Sequence, residues 1–319
     1  MNDLITVLSS MIAGGTPIVY AICGDMVGQK SGITSLSVEG SMLCGACAGF
    51  AVAAYTKSLP LAVLAAAFSG MFIALLQAYL SIDCKANMFA SAFVLNFLAQ
   101  GLTAFFGIPL LSVKLEGFSK ISIPLLSDIP IIGPALFNQD LLCYFSLLLP
   151  FIIHYVFFKT RLGVVIRSAG ENPEVTIAYG YNPRVVRYGS VLFAGAMAGI
   201  GGAQMSIFTT MNWSNDMING RGFIASSLVV LCAWLPLRSY IAAYVFGLAQ
   251  TLQIFFQIKQ VPISPYVTMM FPYLFTLIAL AIVSTSKKPS MPETLQVVID
   301  DMSEQILSNK KGRKENEKN

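Results

Sequence analysis

The chain has 319 residues, of which 55% are hydrophobic and only 11% are charged. Soluble domains carry about 25% charged residues, so this composition excludes a soluble globular protein. A net charge of +4 does not indicate nucleic-acid binding, because in membrane proteins the placing of Lys and Arg matters more than their total. Apolar runs of about 20 residues, the length that crosses a bilayer, predict an all-α, polytopic membrane helix bundle.

The sequence contains nine candidate membrane segments. They lie at residues 4–22, 37–55, 61–79, 88–106, 141–158, 185–207, 222–235, 239–256 and 264–283. Segment 222–235 is short and the start of 37–55 is interrupted, so eight to ten spans fit, with broken helices near mid-membrane. The first segment lacks the basic start and cleavage site of a signal peptide, and we interpret it as a retained span.

Polar residues interrupt the second segment. Glu39 stands in an apolar run, where a carboxylate costs at least about 2.5 kcal/mol. Gly32, Ser37 and Gly40 can break the helix here. Ser37 could cap the next helix and place Glu39 in its first turn, where free N–H groups favour an anion. Two interpretations remain: Ser37 and Glu39 line a solute pathway, or Glu39 only satisfies a helix end.

Amides occur inside two later segments. Asn96 and Gln100 lie one turn apart, and Gln250 lies with Gln253 and Gln257 on a single segment. Amides donate and accept hydrogen bonds, which suits a neutral polar solute, but they also join helices to each other. We assign Asn96, Gln100 and Gln250 to a candidate pathway. We predict no Lys or Arg within the membrane, which argues against a strongly anionic substrate.

Small residues recur at helical spacing in two segments. Gly45 and Gly49 lie one turn apart, as do Gly195 and Gly199. Such faces let helix backbones approach closely in lipid, so we predict that these glycines form packing seams. Cys44 and Cys47 form a CxxC in the same apolar run without a second pair, and they are interpreted as packing residues.

The longest polar stretch before residue 285 is 159–187. Asn172-Pro173 has the pattern of a helix cap and start, Gly180 that of a stop, and Asn182-Pro183 that of a second start. The stretch therefore predicts a short helix at 173–179. Two turns are not stable alone in water, so the membrane or a partner protein must hold this helix.

Basic residues set the predicted orientation. Stretch 159–187 and the pair Lys287-Lys288 are the strongest basic flanks, which places both in the cytoplasm with four spans between them. Loop 107–140 and the N-terminus then lie outside. We divide the chain into a transmembrane domain, 1–286, and a cytoplasmic tail, 287–319, with a possible amphipathic helix at 292–307.

No enzyme motif is present. The chain lacks GxxxxGK[ST], so it does not bind ATP by a P-loop. His154 has no Ser/His/Asp or HExxH partners and is interpreted as structural. We predict no catalytic residue, no metal site and no cofactor bound by this chain.

Several motifs together resemble one family. They are SLSVEGSMLCGA (35–46), LNFLAQGLT (95–103), TRLGVVIRSAGENPEVTIAYGYNP (160–183), GRGFIASSLVVL (220–231) and MMFPYLFTLIAL (269–280). In this order they are similar to permease subunits of bacterial ABC importers in the ribose, branched-chain amino acid and nucleoside group. The resemblance is closest to the shorter permease of nucleoside importers. The family's G-[RK]-W-N-P motif appears here as CAWLPL (232–237), which leaves the substrate open.

The resemblance implies a role for stretch 159–187. It would be the coupling loop that docks into a separate ABC ATPase subunit, which binds ATP and Mg. The residues carried over to this role are Arg167, Gly170, Glu171, Asn172, Pro173 and Gly180. The other implied partners are a second permease subunit, in a heterodimer rather than a homodimer, and an extracytoplasmic substrate-binding lipoprotein.

The resemblance also implies location and function. The chain would be a multi-pass protein of the bacterial plasma membrane that imports a nucleoside-like solute. Riboflavin or a simple sugar is the alternative cargo. An ion-driven secondary carrier and a membrane scaffold are alternatives of other classes. The carrier is disfavoured because the predicted spans contain no Asp or Lys at mid-depth.

Overall fold

The computed structural model describes residues 2–115, 121–122, 133, 136–259 and 265–284. Its helices are α1 (Asn2–Lys30), α2 (Val38–Thr56), α3 (Leu59–Ala78), α4 (Met88–Gly107), α5 (Leu141–Lys159), α6 (Arg161–Glu171), α7 (Pro173–Ala178), α8 (Pro183–Gln204), α9 (Arg221–Leu231), α10 (Ser239–Ile258) and α11 (Pro265–Ser284). Short π-helical turns extend α3 through Tyr79–Asp83 and α8 through Met205–Thr209. Two-residue strands β1 (Ile121–Ser122) and β2 (Asn138–Gln139) pair antiparallel. The predicted all-α bundle is confirmed.

Seven helical stretches in the described part are long and apolar enough to cross a membrane. They are Ile5–Lys30, Val38–Thr56, Leu59–Asp83, Met88–Leu110, Leu141–Lys159, Pro183–Thr209 and Pro236–Ile258. The predicted count of nine, or eight to ten, is not confirmed. Segment 222–235 forms α9, whose 11 residues span about 16 Å at 1.5 Å per residue. The ninth predicted segment coincides with α11, and the predicted tail, 287–319, lies outside the described residues.

The first helix is longer than predicted. We ended the first span at residue 22, but α1 continues to Lys30. Two buried polar side chains in its last turns are hydrogen-bonded, since Gln29 Nε2 donates to Asp25 Oδ2 at 2.8 Å. Asp25 therefore lies in the first span, beyond the residue at which we ended it. The sequence spacing of four residues would have allowed this pair to be found.

Stretch 159–187 contains one more helix than predicted. Before the short helix α7, the chain forms α6, and Thr160 caps it by accepting from Gly163 N at 3.3 Å. Arg187 Nη2 donates to Ala169 O at 2.9 Å, and Arg187 Nε donates to Ser31 O at 3.2 Å. The end of α1 and the start of α8 therefore gather around α6. We call this the α6 end of the bundle.

The opposite end of the bundle lies at β2. Gln139 Nε2 donates to Ser9 Oγ at 2.9 Å, which ties β2 to the first half of α1. Leu115 N donates to Met211 O at 3.2 Å, which joins the segments that follow α4 and α8. We call this the β2 end.

Helix α8 lies at the centre of the bundle against α1, α2 and α3. Gly199 of α8 lies directly on Gly45 of α2, and Gly195 lies on Gly70 of α3. At none of these positions is there room for a side chain, because a Cβ would overlap the facing backbone. Helix α8 therefore packs backbone to backbone against both α2 and α3.

We expect Gly199→Val to destabilise the protein by about 1–3 kcal/mol, the usual cost of overpacking. Thermal denaturation of the purified protein in detergent would measure the loss. Gly189→Val on the same helix is the matched control, because a Cβ at Gly189 meets no atom within 4 Å. Equal melting temperatures for the two variants would contradict the packing described here.

Two of the connections between helices, residues 31–37 and residues 210–220, contribute to the candidate site. The second connection holds several residues at positive φ, namely Met211, Asp216, Asn219 and Gly220. Met217 and Ile218 of this segment are buried, and Gly220 N donates to the buried Glu39, so that α9 begins inside the bundle. We call residues 210–220 the re-entrant segment.

Candidate functional site

The amino-terminal ends of α2 and α9 meet inside the bundle at Glu39. Its carboxylate is 2% exposed and accepts from Gly220 N at 2.8 Å and from Gly222 N at 2.6 Å. Glu39 lies in the first turn of α2, as predicted, but its side chain caps α9 instead. A Cβ at Gly222 would lie 2.5 Å from Glu39 Cα, so the contact requires glycine there.

Asn96 of α4 holds the other side of the same junction. Its Oδ1 accepts from Gly40 N at 2.8 Å, and its Nδ2 donates to Leu36 O at 3.1 Å. Ser37 is the residue before α2, as expected, but its side chain makes no cap bond and lies 2.6 Å from Ser35 Oγ. The side chains of Glu39 and Asn96 thus hydrogen-bond to backbone N–H and C=O groups at the ends of helices. A pathway role for them stays a prediction.

Gln100 lies apart from this junction, at a partly exposed site. Its Nε2 is 3.4 Å from Oδ1 of Asp216, an exposed residue of the re-entrant segment. Asn219, in the same segment, accepts at its carbonyl oxygen from Tyr273 OH at 3.1 Å. A polar surface thus follows the re-entrant segment along α4 and α11.

A cavity of about 460 Å³ opens near the β2 end. The first half of α1 and the second half of α10 form its sides, and Phe208–Met211 and Gln139–Asp140 line its rim. Its volume lies within the usual range for small-molecule sites, about 300–1,000 Å³. Of the five predicted pathway residues, Gln250 lines this cavity, whereas Ser37, Glu39, Asn96 and Gln100 do not.

Arg221, the first residue of α9, also lines the cavity, and the sequence interpretation missed it. With the Gln250 amide turned so that its oxygen faces Arg221, this oxygen accepts from Nε at 2.6 Å and from Nη2 at 3.2 Å. Our expectation that no Lys or Arg lies inside the bundle is therefore wrong. We took Arg221 for the flank of a short span, because the sequence does not reveal that the re-entrant segment carries it inward.

The α6–α7 region presents a different kind of surface. Asn172 caps α7 by accepting from Glu174 N at 3.0 Å, and the stop at Gly180 has φ +80°. Apolar side chains on and next to α7 are exposed, including Ile177 at 62% and Tyr179 at 60%. Exposed apolar residues grouped in this way form a surface that can contact another protein or a membrane.

The predicted coupling residues divide between this surface and the bundle. Glu171, Asn172 and Gly180 are exposed and Pro173 is partly exposed. Gly170 is buried against the backbone of Lys30 and Gly32. Arg167 lies over the Phe158 ring at 5.3 Å, with Nε donating to Gly163 O at 3.3 Å. Arg167 and Gly170 thus contact neighbouring helices, and Glu171, Asn172 and Gly180 face outward.

No group of three or more His, Cys, Asp or Glu residues among the described ones could hold a metal ion. His154 packs on Phe158 with ring centroids 4.8 Å apart. The cavity itself offers hydrogen-bonding groups, the guanidinium of Arg221, the carboxylate of Asp140 and aromatic rings.

Comparison with known proteins agrees with this architecture. The chain is 33% identical over 262 residues to TsgC13 of Haloferax volcanii, whose assignment as a glucose ABC transporter permease is provisional; the match covers 81% of this chain and 80% of that protein. It is 31% identical over 301 residues to the nucleoside ABC transporter permease NupC of Lactococcus lactis, covering 88% and 93%. The guanosine ABC transporter permease NupQ of Bacillus subtilis is also 31% identical, covering 87% and 93%.

No solved structure gives a significant match. Residues 6–280 match the family described as branched-chain amino acid transport system / permease component. This match covers nearly all of the described helices, from α1 to most of α11. The chain is therefore a member of this family of ABC transporter permeases, a membrane transport subunit and not an enzyme.

Proposed function

We propose that this chain forms the translocation pathway of a bacterial ABC importer for a nucleoside-like solute. The observation that carries the proposal is the cavity near the β2 end, which combines the guanidinium of Arg221, the amide of Gln250 and aromatic side walls. Such a site can bind a solute that has both a flat ring and hydrogen-bonding groups. The similarity to the nucleoside permease NupC and the guanosine permease NupQ supports the same solute class.

The orientation follows from charge and chain direction. The α6 end carries Lys159, Arg161 and Arg184, which favours the cytoplasm. The cavity then opens outward. Helix α11 begins after the end of α10 at the β2 side, and its continuation would bring the C-terminus to the cytoplasm. In this arrangement the membrane is crossed twice more than by the seven long apolar stretches. The re-entrant segment together with α9 would make one of these passes, and α11 would make the other.

A separate ATPase subunit would bind ATP and Mg and drive the transport. The support for this is the exposed apolar surface on α7, including Ile177 and Tyr179, at the end proposed to be cytoplasmic. Force applied to α7 would pass to the bundle through Arg187, which joins α8 to α1 and α6. Alternating access would then follow as rigid-body motion of the helices.

A second permease subunit would cover the polar surface beside α4. Asp216 is exposed and contacts Gln100 near the middle of an apolar helix. Polar groups at such depth are not stable against lipid. The resemblance to the shorter of two permeases favours a heterodimer. A substrate-binding lipoprotein would deliver the solute to the β2 end.

The test is uptake by the complete importer, with its ATPase, second permease and binding protein reconstituted in liposomes. We expect ATP-dependent accumulation of inosine, guanosine or uridine, and little accumulation of glucose or riboflavin. The control is an ATPase variant that cannot hydrolyse ATP. Selective uptake of glucose would favour the sugar alternative, which the similarity to TsgC13 supports. Uptake that follows an ion gradient without ATP would overturn the proposal in favour of a carrier.

A further inference from the structure

The floor of the cavity holds a cation that lacks a carboxylate partner. Arg221 makes no ion pair within 4.0 Å among the residues that the structure describes. The atoms that its N–H groups contact are neutral: Nη1 contacts Met217 O at 3.3 Å and Met205 Sδ at 2.7 Å, and Nε and Nη2 contact the Gln250 amide oxygen. A cation inside a membrane bundle is costly unless it is paired.

Hydrogen-bonding capacity remains on this guanidinium. It has five N–H donors, and the four contacts above use both hydrogens of Nη1, the single one of Nε and one of Nη2. The second hydrogen of Nη2 has no acceptor within the described part of the chain. The sulfur of Met205 is a weak acceptor, so a stronger acceptor can replace it at Nη1. The two terminal nitrogens can therefore present a parallel pair of donors to a ligand.

The nearby carboxylate of Glu39 does not use these donors. It binds the backbone N–H groups of Gly220 and Gly222, the two neighbours of Arg221 in the chain. Asp140 lines the cavity as well, and its carboxylate accepts from Cys143 N at 2.8 Å and from Gln204 Nε2 at 3.3 Å. Each acidic group near the cavity thus has its own hydrogen-bond donors.

We propose that Arg221, oriented by Gln250, determines the specificity of the cavity by binding O6 and N7 of a 6-oxopurine nucleoside. The inference rests on the proposed function and names the solute more closely. A guanidinium matches this pair of acceptors with two parallel hydrogen bonds. In adenosine the group at position 6 is an amine, which would place a donor against a donor. Inosine and adenosine therefore form a matched pair of ligands.

The rest of the cavity suits the remaining parts of such a ligand. Phe208 and Phe255 line its walls, where a base can stack on an aromatic face. Thr6 and Ser10 of α1 also line the cavity. Hydroxyl groups there can exchange hydrogen bonds with a ribose.

The first arm of the test varies the ligand and leaves the protein unchanged. Binding of inosine, adenosine and 7-deazainosine to the purified permease–ATPase complex would be measured without the binding protein, and uptake with it. We expect inosine to be preferred about tenfold or more over adenosine, the discrimination usual for such a pair. Loss of N7 in 7-deazainosine should also weaken binding. Equal binding of all three ligands would overturn the inference.

The second arm varies the protein. Arg221→Gln should reduce the inosine-to-adenosine uptake ratio toward one, and Arg221→Lys should not restore it, because Lys keeps the charge but not the paired donors. The binding protein is the same in every assay, so a changed ratio reports on the permease. Arg238→Gln is the matched control, since Arg238 is exposed in the turn after α9 and does not line the cavity. Copurification with the ATPase would verify that each variant folds.

The possible outcomes separate this inference from the proposed function. Nucleoside uptake with an unchanged ratio in Arg221→Gln would overturn the inference and leave the proposed function intact. A wild-type inosine-to-adenosine uptake ratio in Arg221→Lys would show that a positive charge alone is sufficient for the preference. That result would contradict recognition by paired donors. Absence of nucleoside uptake by the wild-type importer would overturn the proposed solute and, with it, the inference.

Discussion

Replacing Glu39 with alanine is expected to destabilise the protein by about 3–5 kcal/mol and to reduce uptake more than tenfold. The substitution leaves the N–H groups of Gly220 and Gly222 buried without an acceptor. A hydrogen bond to a charged group contributes about 1.5–3 kcal/mol, and here two are lost together. Helix α9 would lose its fixed start, and Arg221 its position. Thermal denaturation in detergent and ATP-driven uptake would measure the two effects.

Two further variants distinguish capping of α9 from direct contact with solute. Gly222→Ala keeps the glutamate at position 39 but separates its carboxylate from the start of α9, because a Cβ at Gly222 would lie 2.5 Å from Glu39 Cα. We expect it to lower stability and uptake as Glu39→Ala does. Ser227→Ala is the control, since Ser227 is exposed on α9 and bonds only within its own helix, to Phe223 O. A fully stable Glu39→Ala protein that fails in uptake would contradict capping and favour solute contact.

Replacing Gly180 with tryptophan is expected to abolish ATP-driven uptake while leaving the bundle folded. Gly180 has φ +80°, which L side chains rarely adopt, and a Cβ there would meet no atom within 4 Å. The tryptophan would therefore project from the end of α7 into the surface proposed to dock on the ATPase. Uptake and stimulation of the ATPase by the permease should both fall more than tenfold. The melting temperature of the isolated permease should change little.

The matched control for this prediction is Gly180→Asn, because asparagine tolerates the left-handed conformation better than other side chains. It should retain most of the uptake. Normal uptake by Gly180→Trp would contradict docking at α7, and so would equal losses in both variants.

The sequence predicted the helices well because apolar length and capping residues are local signals. Asn172 and Asn182 cap α7 and α8 as their Asn-Pro patterns indicate, with side chains that accept from Glu174 N and Arg184 N at 3.0 Å. The spacing of small residues pointed to Gly45 and Gly199, which the structure places in direct contact. These features depend on the period of a helix or on three or four neighbouring residues.

The candidate site was less predictable because it depends on contacts between distant residues. Glu39 and Gly220 are 181 residues apart, and nothing local to Glu39 indicates that it caps another helix. Arg221 and Asp25 were missed for a related reason. We ended or shortened helices at polar residues, although hydrogen bonds inside the bundle allow such residues to continue inward.

The junction of α2 and α9 has a consequence for how membrane voltage acts on this protein. The amino-terminal end of each helix carries roughly half a positive charge, and the single carboxylate of Glu39 offsets about the sum of the two. Arg221, the first residue of α9, adds a full positive charge next to this junction and moves with α9. A unit charge displaced across the whole bilayer changes in energy by about 2.3 kcal/mol per 100 mV. The voltage dependence of import would therefore report how far α9 travels in each cycle.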